Sequence, residues 1–250
     1  VFHLAALIAI PYSYQAPESF VDTNMHGTLN VLEAVRRCGV ERMVHASTSE
    51  VYGTPDRIPI TEEHALKGQS PYSASKIAAD KLCEAYACSY RTPVIILRPF
   101  NTYGPRQSAR AVIPSILGQL LGGKEEILVG NLRPKRDFTF VADTVNGFMQ
   151  AGSVSLDPGE VIHLGTGISV SIAELFEKAC EVVGRKARPL AQEVRVRPEQ
   201  SEVAVLQSDP SRARKTLGWS AKVQLEEGLR LTADWMKEFG TFRDLDRYYI

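Results

Sequence analysis

The chain has 250 residues, enough for one large domain or a domain with a smaller lobe, and its 44% apolar and 23% charged content is that of an ordinary globular protein. Lys and Arg number 29 and Asp and Glu 29, with no block of like charge, which excludes a nucleic-acid or membrane-surface protein held by bulk electrostatics. Apolar runs such as Pro93 to Leu97 are too short to span a bilayer and no signal-peptide order opens the chain, so a cytoplasmic protein is expected. Cys38, Cys83, Cys88 and Cys180 show no C-x-x-C spacing, and the five histidines are scattered, so neither a disulfide framework nor a metal site is expected.

Val1 to Ala6 reads as a buried strand entering a loop. Pro17 to Cys38 reads as a helix, with Pro17 in its first turn, Phe20, Met25, Leu29 and Leu32 on one face, and Gly39 closing it. Arg42 to Ser47 is a short strand ending in hydroxyl residues, and Ser73 to Tyr90 a second long helix. Val94 to Phe100 is nearly all apolar, as a parallel strand buried on both faces should be. Beyond Asn101 the pattern is less regular. Glu126 to Gly130 and Arg136 to Val141 look extended, a helix starts at Asp143, and Val161 to Leu164 is another strand. Ser171 and Glu174 form a capping box for a helix ending near Gly184, Asp209-Pro210 opens a short helix stopping at Gly218, and Leu225 to Phe239 forms the last. This alternation predicts an α/β fold with a parallel, doubly wound sheet. Residues 1–101 are expected to form the core and 102–250 mainly a lobe packed on it, with 137–170 returning to the core.

Tyr72 and Lys76 lie four residues apart at a helix start, so phenol and ammonium share a face. A tyrosine titrates near ~10, and a nearby cation lowers that value and makes the phenolate a usable base. The spacing by itself also fits a surface tyrosine and a solvated lysine. Thr48-Ser49-Glu50 follows a buried strand, at the end where open α/β sheets bind ligands. A hydroxyl there can hold a substrate oxygen and a carboxylate can act as general base, although Glu50 also suits a solvated loop. Gly27, inside a helical pattern, suggests close approach of a ligand or another backbone, or tight helix packing.

Together, His3-Leu4-Ala5-Ala6, Asn24-x-x-Gly27-Thr28, Ser47-Thr48-Ser49-Glu50-Val51-Tyr52-Gly53, Tyr72-x-x-x-Lys76, Arg98-Pro99-Phe100-Asn101-x-Tyr103-Gly104-Pro105, Arg136-Asp137-Phe138 and Arg197-Pro198-Glu199 occur in the order of the extended short-chain dehydrogenases/reductases. The chain resembles the epimerase/dehydratase branch of that family, and most of all the NAD-dependent sugar-nucleotide 4,6-dehydratases of the N-acetylhexosamine and legionaminic-acid type. The resemblance implies a Rossmann-like core, NAD as cofactor and a nucleotide sugar as substrate. It implies that Thr48 holds the sugar's 4-oxygen, Tyr72 takes the 4-hydroxyl proton, and Glu50 removes the carbon-5 proton. It places Lys76 on the cofactor ribose, and Ala5 and Ala6 against the cofactor. It assigns Ser49, Asn101, Arg136 and Arg197 to the substrate, although Arg136 could equally make a structural ion pair. A homodimer through helices 17–38 and 73–90 is implied as well.

Two departures from the family pattern stand out. Many glucose-nucleotide dehydratases carry Asp where this chain has Ser49, so Glu50 must act as both base and acid, or a water assists. The glycine-rich G-x-x-G-x-x-G turn is absent, and a complete member would carry roughly 60–75 residues before Val1, so an N-terminally truncated core lacking its first β-α units is expected. The alternatives are a nucleotide-sugar 4-epimerase, for which Glu50 is superfluous, a UDP-glucuronate decarboxylase, and a non-catalytic fragment.

Overall fold

The computed structural model describes residues 1–240. Its central sheet has four strands in the order Phe2–His3, Met43–Ala46, Val94–Pro99, Val161–Leu164, every neighbouring pair parallel. Val94, Ile95, Ile96 and Leu97 are each 0% exposed, because helices cover both faces of the sheet. Leu32, Val35, Cys83 and Ala87 close one face, while Ala151, Ala213, Leu217 and Trp219 close the other.

The expected helix at 17–38 is interrupted. Pro17–Phe20 and Gly27–Arg37 are α-helical, but Val21–His26 is a π-helical turn. The wide turn points Asn24 inward, where its amide donates to Leu7 O at 3.0 Å and Ser75 Oγ at 2.9 Å and accepts from Leu7 N at 2.8 Å. Gly27 needs no close approach: a Cβ there would meet only Asp22 O, at 3.9 Å. The glycine marks the exit from the wide turn instead.

The second long helix begins at Pro71, two residues earlier than expected, because Ser70 and Ser73 form a capping box ahead of it. The extended stretch at 136–141 divides. Lys135–Arg136 joins Val205–Leu206 and Val170–Ser171, whereas Phe138–Phe140 pairs with Asn101–Tyr103. Asp137, between the two, is 0% exposed and its carboxylate accepts from Thr166 N, Thr166 Oγ1, Gly167 N, Ser208 N and Ser208 Oγ at 2.6 to 3.1 Å. It therefore turns the chain from one sheet to the other. A further apolar core gathers the helices Val112–Leu121, Ile172–Val183 and Leu225–Phe239 around Phe138 and Phe140.

Candidate active site

The site forms at the carboxyl ends of the central strands. Thr48 and Glu50 follow Met43–Ala46 directly: Thr48 caps a short 3-10 turn, Ser49–Tyr52, its hydroxyl accepting from Glu50 N at 3.2 Å. Asn101 follows Val94–Pro99, and its Oδ1 is buried with no hydrogen-bond partner, an acceptor suited to a ligand's donor. Tyr72 and Lys76 stand on the Pro71–Tyr90 helix, 6% and 3% exposed, which removes the surface-tyrosine reading.

Burial pushes the Tyr72 phenol well above the ordinary tyrosine range, and nearby Glu50 and Asp80 push it further; the Thr48 hydroxyl, hydrogen-bonding it, pulls the other way. Thr48 thus reaches the Tyr72 hydroxyl, and Glu50 lies within electrostatic reach of it. Lys76 turns to the strand, its Nζ donating to Ala46 O at 2.7 Å, so the net displacement of Tyr72 in this structure is upward and not the lowering expected from Lys76. Burial holds Lys76 itself below the usual lysine range, with Asp80 opposing.

On its other side Glu50 meets the arginines. Arg197 Nη1 lies 3.7 Å from Glu50 Oε1 and 3.8 Å from Glu202 Oε1. Arg136 is 5% exposed, donating to Glu202 Oε1 at 2.9 Å and to Val203 O at 2.7 Å, so it makes the structural ion pair and also borders the site. Burial draws the Arg136 guanidinium below its usual range and the charges of Glu50 and Glu202 oppose this. The segment carrying Arg197 is pinned over the site by Ser201, whose Oγ donates to Gln69 O at 2.6 Å and meets the Tyr14 hydroxyl at 2.6 Å.

Ser49 is 3% exposed inside its turn and offers no carboxylic acid beside Glu50. Ala5 is exposed and Ala6 half-buried, small side chains that leave the end of the Phe2–His3 strand open. The Asn24 hydrogen bonds to Leu7 and Ser75 tie this loop to the helix carrying Tyr72 and Lys76, which fits the nicotinamide-ribose half of a dinucleotide. Sequence reasoning missed Glu202, the shared partner of both arginines, and Asp80, one turn beyond Lys76. The helical spacing could have found Asp80, but nothing local marks Glu202. Among the described residues no cluster of His, Cys, Asp and Glu could hold a metal ion and no helix is long and apolar enough to cross a membrane.

A family model described as GDP-mannose 4,6 dehydratase matches residues 1–232. A UDP-glucose 4-epimerase of Mycolicibacterium smegmatis is 33% identical over 95% of this chain and 75% of its own length. A dTDP-glucose 4,6-dehydratase of Streptomyces griseus is 34% identical over 94% of this chain and 70% of its own length. The solved structure of UDP-glucuronic acid 4-epimerase from Bacillus cereus in complex with UDP-glucuronic acid and NAD superposes with a TM-score of 0.87 at 29% identity, covering 95% of this chain and 74% of that one.

Proposed function

The chain belongs to the GDP-mannose 4,6-dehydratase family of NAD-dependent nucleotide-sugar epimerases and dehydratases, and from that premise we propose that it carries out 4,6-dehydration of a nucleotide-activated hexose, an N-acetylhexosamine nucleotide foremost, to a 4-keto-6-deoxy sugar. The observation that carries this reading is the carboxylate of Glu50, which lies within electrostatic reach of Tyr72 and 3.7 Å from Arg197 Nη1. An epimerase needs proton transfer only at the 4-hydroxyl; a carboxylate beside the same tyrosine serves a second proton transfer, at carbon 5.

NAD, when bound, accepts a hydride from carbon 4 and returns one to carbon 6. Thr48 holds the 4-oxygen and Tyr72 takes the 4-hydroxyl proton, with Lys76, Ala5 and Ala6 toward the cofactor. A ketone at carbon 4 acidifies the proton on carbon 5, and Glu50 removes it. With Ser49 beside it and no second carboxylic acid in the turn, Glu50 then protonates the hydroxide leaving carbon 6, and the proton that Tyr72 has taken from the 4-hydroxyl balances the one carbon 5 regains when hydride reaches carbon 6. Arg136, Arg197 and Asn101 contact the nucleotide diphosphate, where planar guanidinium groups match the phosphate oxygens. The substrate contacts come mainly from residues 102–250.

Mass spectrometry of UDP-N-acetylglucosamine, dTDP-glucose and UDP-glucuronate after incubation with the full-length enzyme tests this directly. Loss of one water is expected from a hexose nucleotide. An unchanged mass with inverted stereochemistry would establish the epimerase, and loss of carbon dioxide the decarboxylase.

The assembly proposed is a homodimer through helices 17–38 and 71–90. Their outer faces carry Tyr86, whose hydroxyl donates to Glu33 at 2.7 Å, and Tyr90 beneath the Arg36 guanidinium at 5.3 Å, aromatic and arginine groups of the kind enriched in interfaces. Sedimentation of the full-length protein at micromolar concentration should give a dimer, and a monomer there refutes the proposal.

A further inference from the structure

Beneath the Tyr72–Lys76 pair lies a run of buried charge that the steps above do not use. Tyr72, Lys76 and Asp80 stand one turn apart on one face of the Pro71–Tyr90 helix, and Asp80 is 0% exposed. Arg98, in the neighbouring strand and 2% exposed, donates from Nε to Asp80 Oδ2 at 2.9 Å. Its Nη1 donates to the Tyr52 hydroxyl at 2.6 Å, which fixes the guanidinium from a second direction. The other carboxylate oxygen, Asp80 Oδ1, has no hydrogen-bond partner and lies 3.6 Å from His45 Nε2. A lysine taken out of water favours the neutral amine, so an ammonium at the depth of Lys76 needs a counter-charge.

The surroundings leave that task to Asp80. His45 and His3, facing Lys76 from the adjacent strands, are both held below the ordinary histidine range, by burial first and by Lys76 next, so they remain neutral. The Cys83 thiol, on the same helix, is pushed up by burial and stays protonated. Burial pushes the Asp80 carboxyl up, and Arg98 first, then the Ser47 hydroxyl and Lys76, oppose this. Asp80 thus stands between two cations, one turn from Lys76 on its own helix and hydrogen-bonded to Arg98 on the neighbouring strand.

We propose that Asp80, clamped by Arg98, is the positioning residue that keeps Lys76 an ammonium ion beneath Tyr72. The proposal rests on the reading of Tyr72 and Lys76 as the catalytic pair. A plain ion pair tying helix to strand has the same geometry, and the difference lies in what happens to Lys76 when the carboxylate is neutralised.

The test is a titration of the full-length protein labelled with carbon-13 at the lysine ε-carbons, the Lys76 signal being assigned by its loss in Lys76→Met. In Asp80→Asn the signal should titrate about one pH unit or more lower than in wild type. The alkaline limb of the kcat profile, measured with whichever of UDP-N-acetylglucosamine or dTDP-glucose is turned over, should move down with it while KM stays put. Asp80→Glu should bring both back toward wild type. If Asp80→Asn does not fold, Asp80→Asn with Arg98→Gln removes both charges and leaves neither unpaired, and the same downward shift is expected. A Lys76 titration unchanged in either folded variant overturns the proposal, whatever happens to thermal stability. The titration needs no turnover, so a shifted Lys76 in a protein inert toward nucleotide sugars would instead count against the function proposed above.

Discussion

Glu50→Gln should stop product formation while leaving the first half of the reaction intact. Glutamine keeps the shape of the side chain but cannot accept the carbon-5 proton, and overall turnover is expected to fall about 100- to 10,000-fold, the usual worth of a positioned acid-base group. Removal of the 4-hydroxyl proton depends on Tyr72 and Thr48, so reduced cofactor should still accumulate on mixing with the nucleotide sugar. Tyr72→Phe, by contrast, should block both phases. Stopped-flow absorbance of the bound cofactor, read beside mass spectrometry of the sugar, separates the two steps. The split matters because Glu50 touches Arg197, so a loss confined to substrate affinity would point to a disturbed arginine and not to a missing base. Turnover close to wild type in Glu50→Gln would remove the carboxylate from the mechanism and favour epimerisation.

The largest effect on stability is expected at Asp137. Its carboxylate accepts five hydrogen bonds from three residues of two separate segments, three of them from the backbone amides of Thr166, Gly167 and Ser208. Asp137→Ala removes the acceptor of the Thr166 and Ser208 amides beside a fully buried position, while Gly167 N keeps the Ser208 hydroxyl at 3.1 Å, at a cost of about 3–5 kcal/mol. For a chain of this size that corresponds to a melting temperature lower by roughly 10 °C. Asp137→Asn keeps one carbonyl acceptor and should lose about half as much. Thermal unfolding followed by circular dichroism measures both. A melting point within a degree or two of wild type for Asp137→Ala would mean that water or the Ser208 hydroxyl replaces the carboxylate without loss.

The sequence announces the central sheet because its physics is local. Val94 to Leu97 is buried on both faces and apolar throughout, and the capping box at Ser171 marks its helix by itself, whereas the box at Ser70, closed by Ser73 and not by an acidic residue, carries no such signature. The Val112–Leu121 helix escaped for the opposite reason. Ile113, Ser115, Leu117 and Gln119 are all buried, so the helix has little polar face to give it a period, and Pro114 and Gly118 read as breakers. Arg188–Ala191, exposed along its whole length and containing a proline, exists as a strand only through pairing with Glu126–Val129.

The site divides in the same way. Tyr72, Lys76, Thr48 and Glu50 sit in compact motifs at strand and helix ends, and become legible as candidates when those motifs are read together. Glu202 joins Arg136 and Arg197 only after long stretches of chain have folded back, and the interior turn of Asn24 depends on a wide helical turn that no residue type signals. Partner choice across the fold is what spacing cannot carry.

The order of the strands also bears on how the molecule assembles during synthesis. In the central sheet each strand lies beside the one made before it: Phe2 pairs with Val44, Met43 with Val94 and Ile96 with Val161. A chain emerging from its N-terminal side can add strands edge by edge, with none threaded between two already joined, although each closure spans a long loop and is correspondingly slow. The mixed sheet obeys a different schedule. Lys135–Arg136 sits between Val170–Ser171 and Val205–Leu206, so it waits for two segments not yet translated when it appears. Arg136 therefore reaches its final surroundings after Tyr72 and Lys76 have found theirs, and a nascent chain holds the proposed catalytic pair before it holds the full set of groups proposed to grip a phosphate.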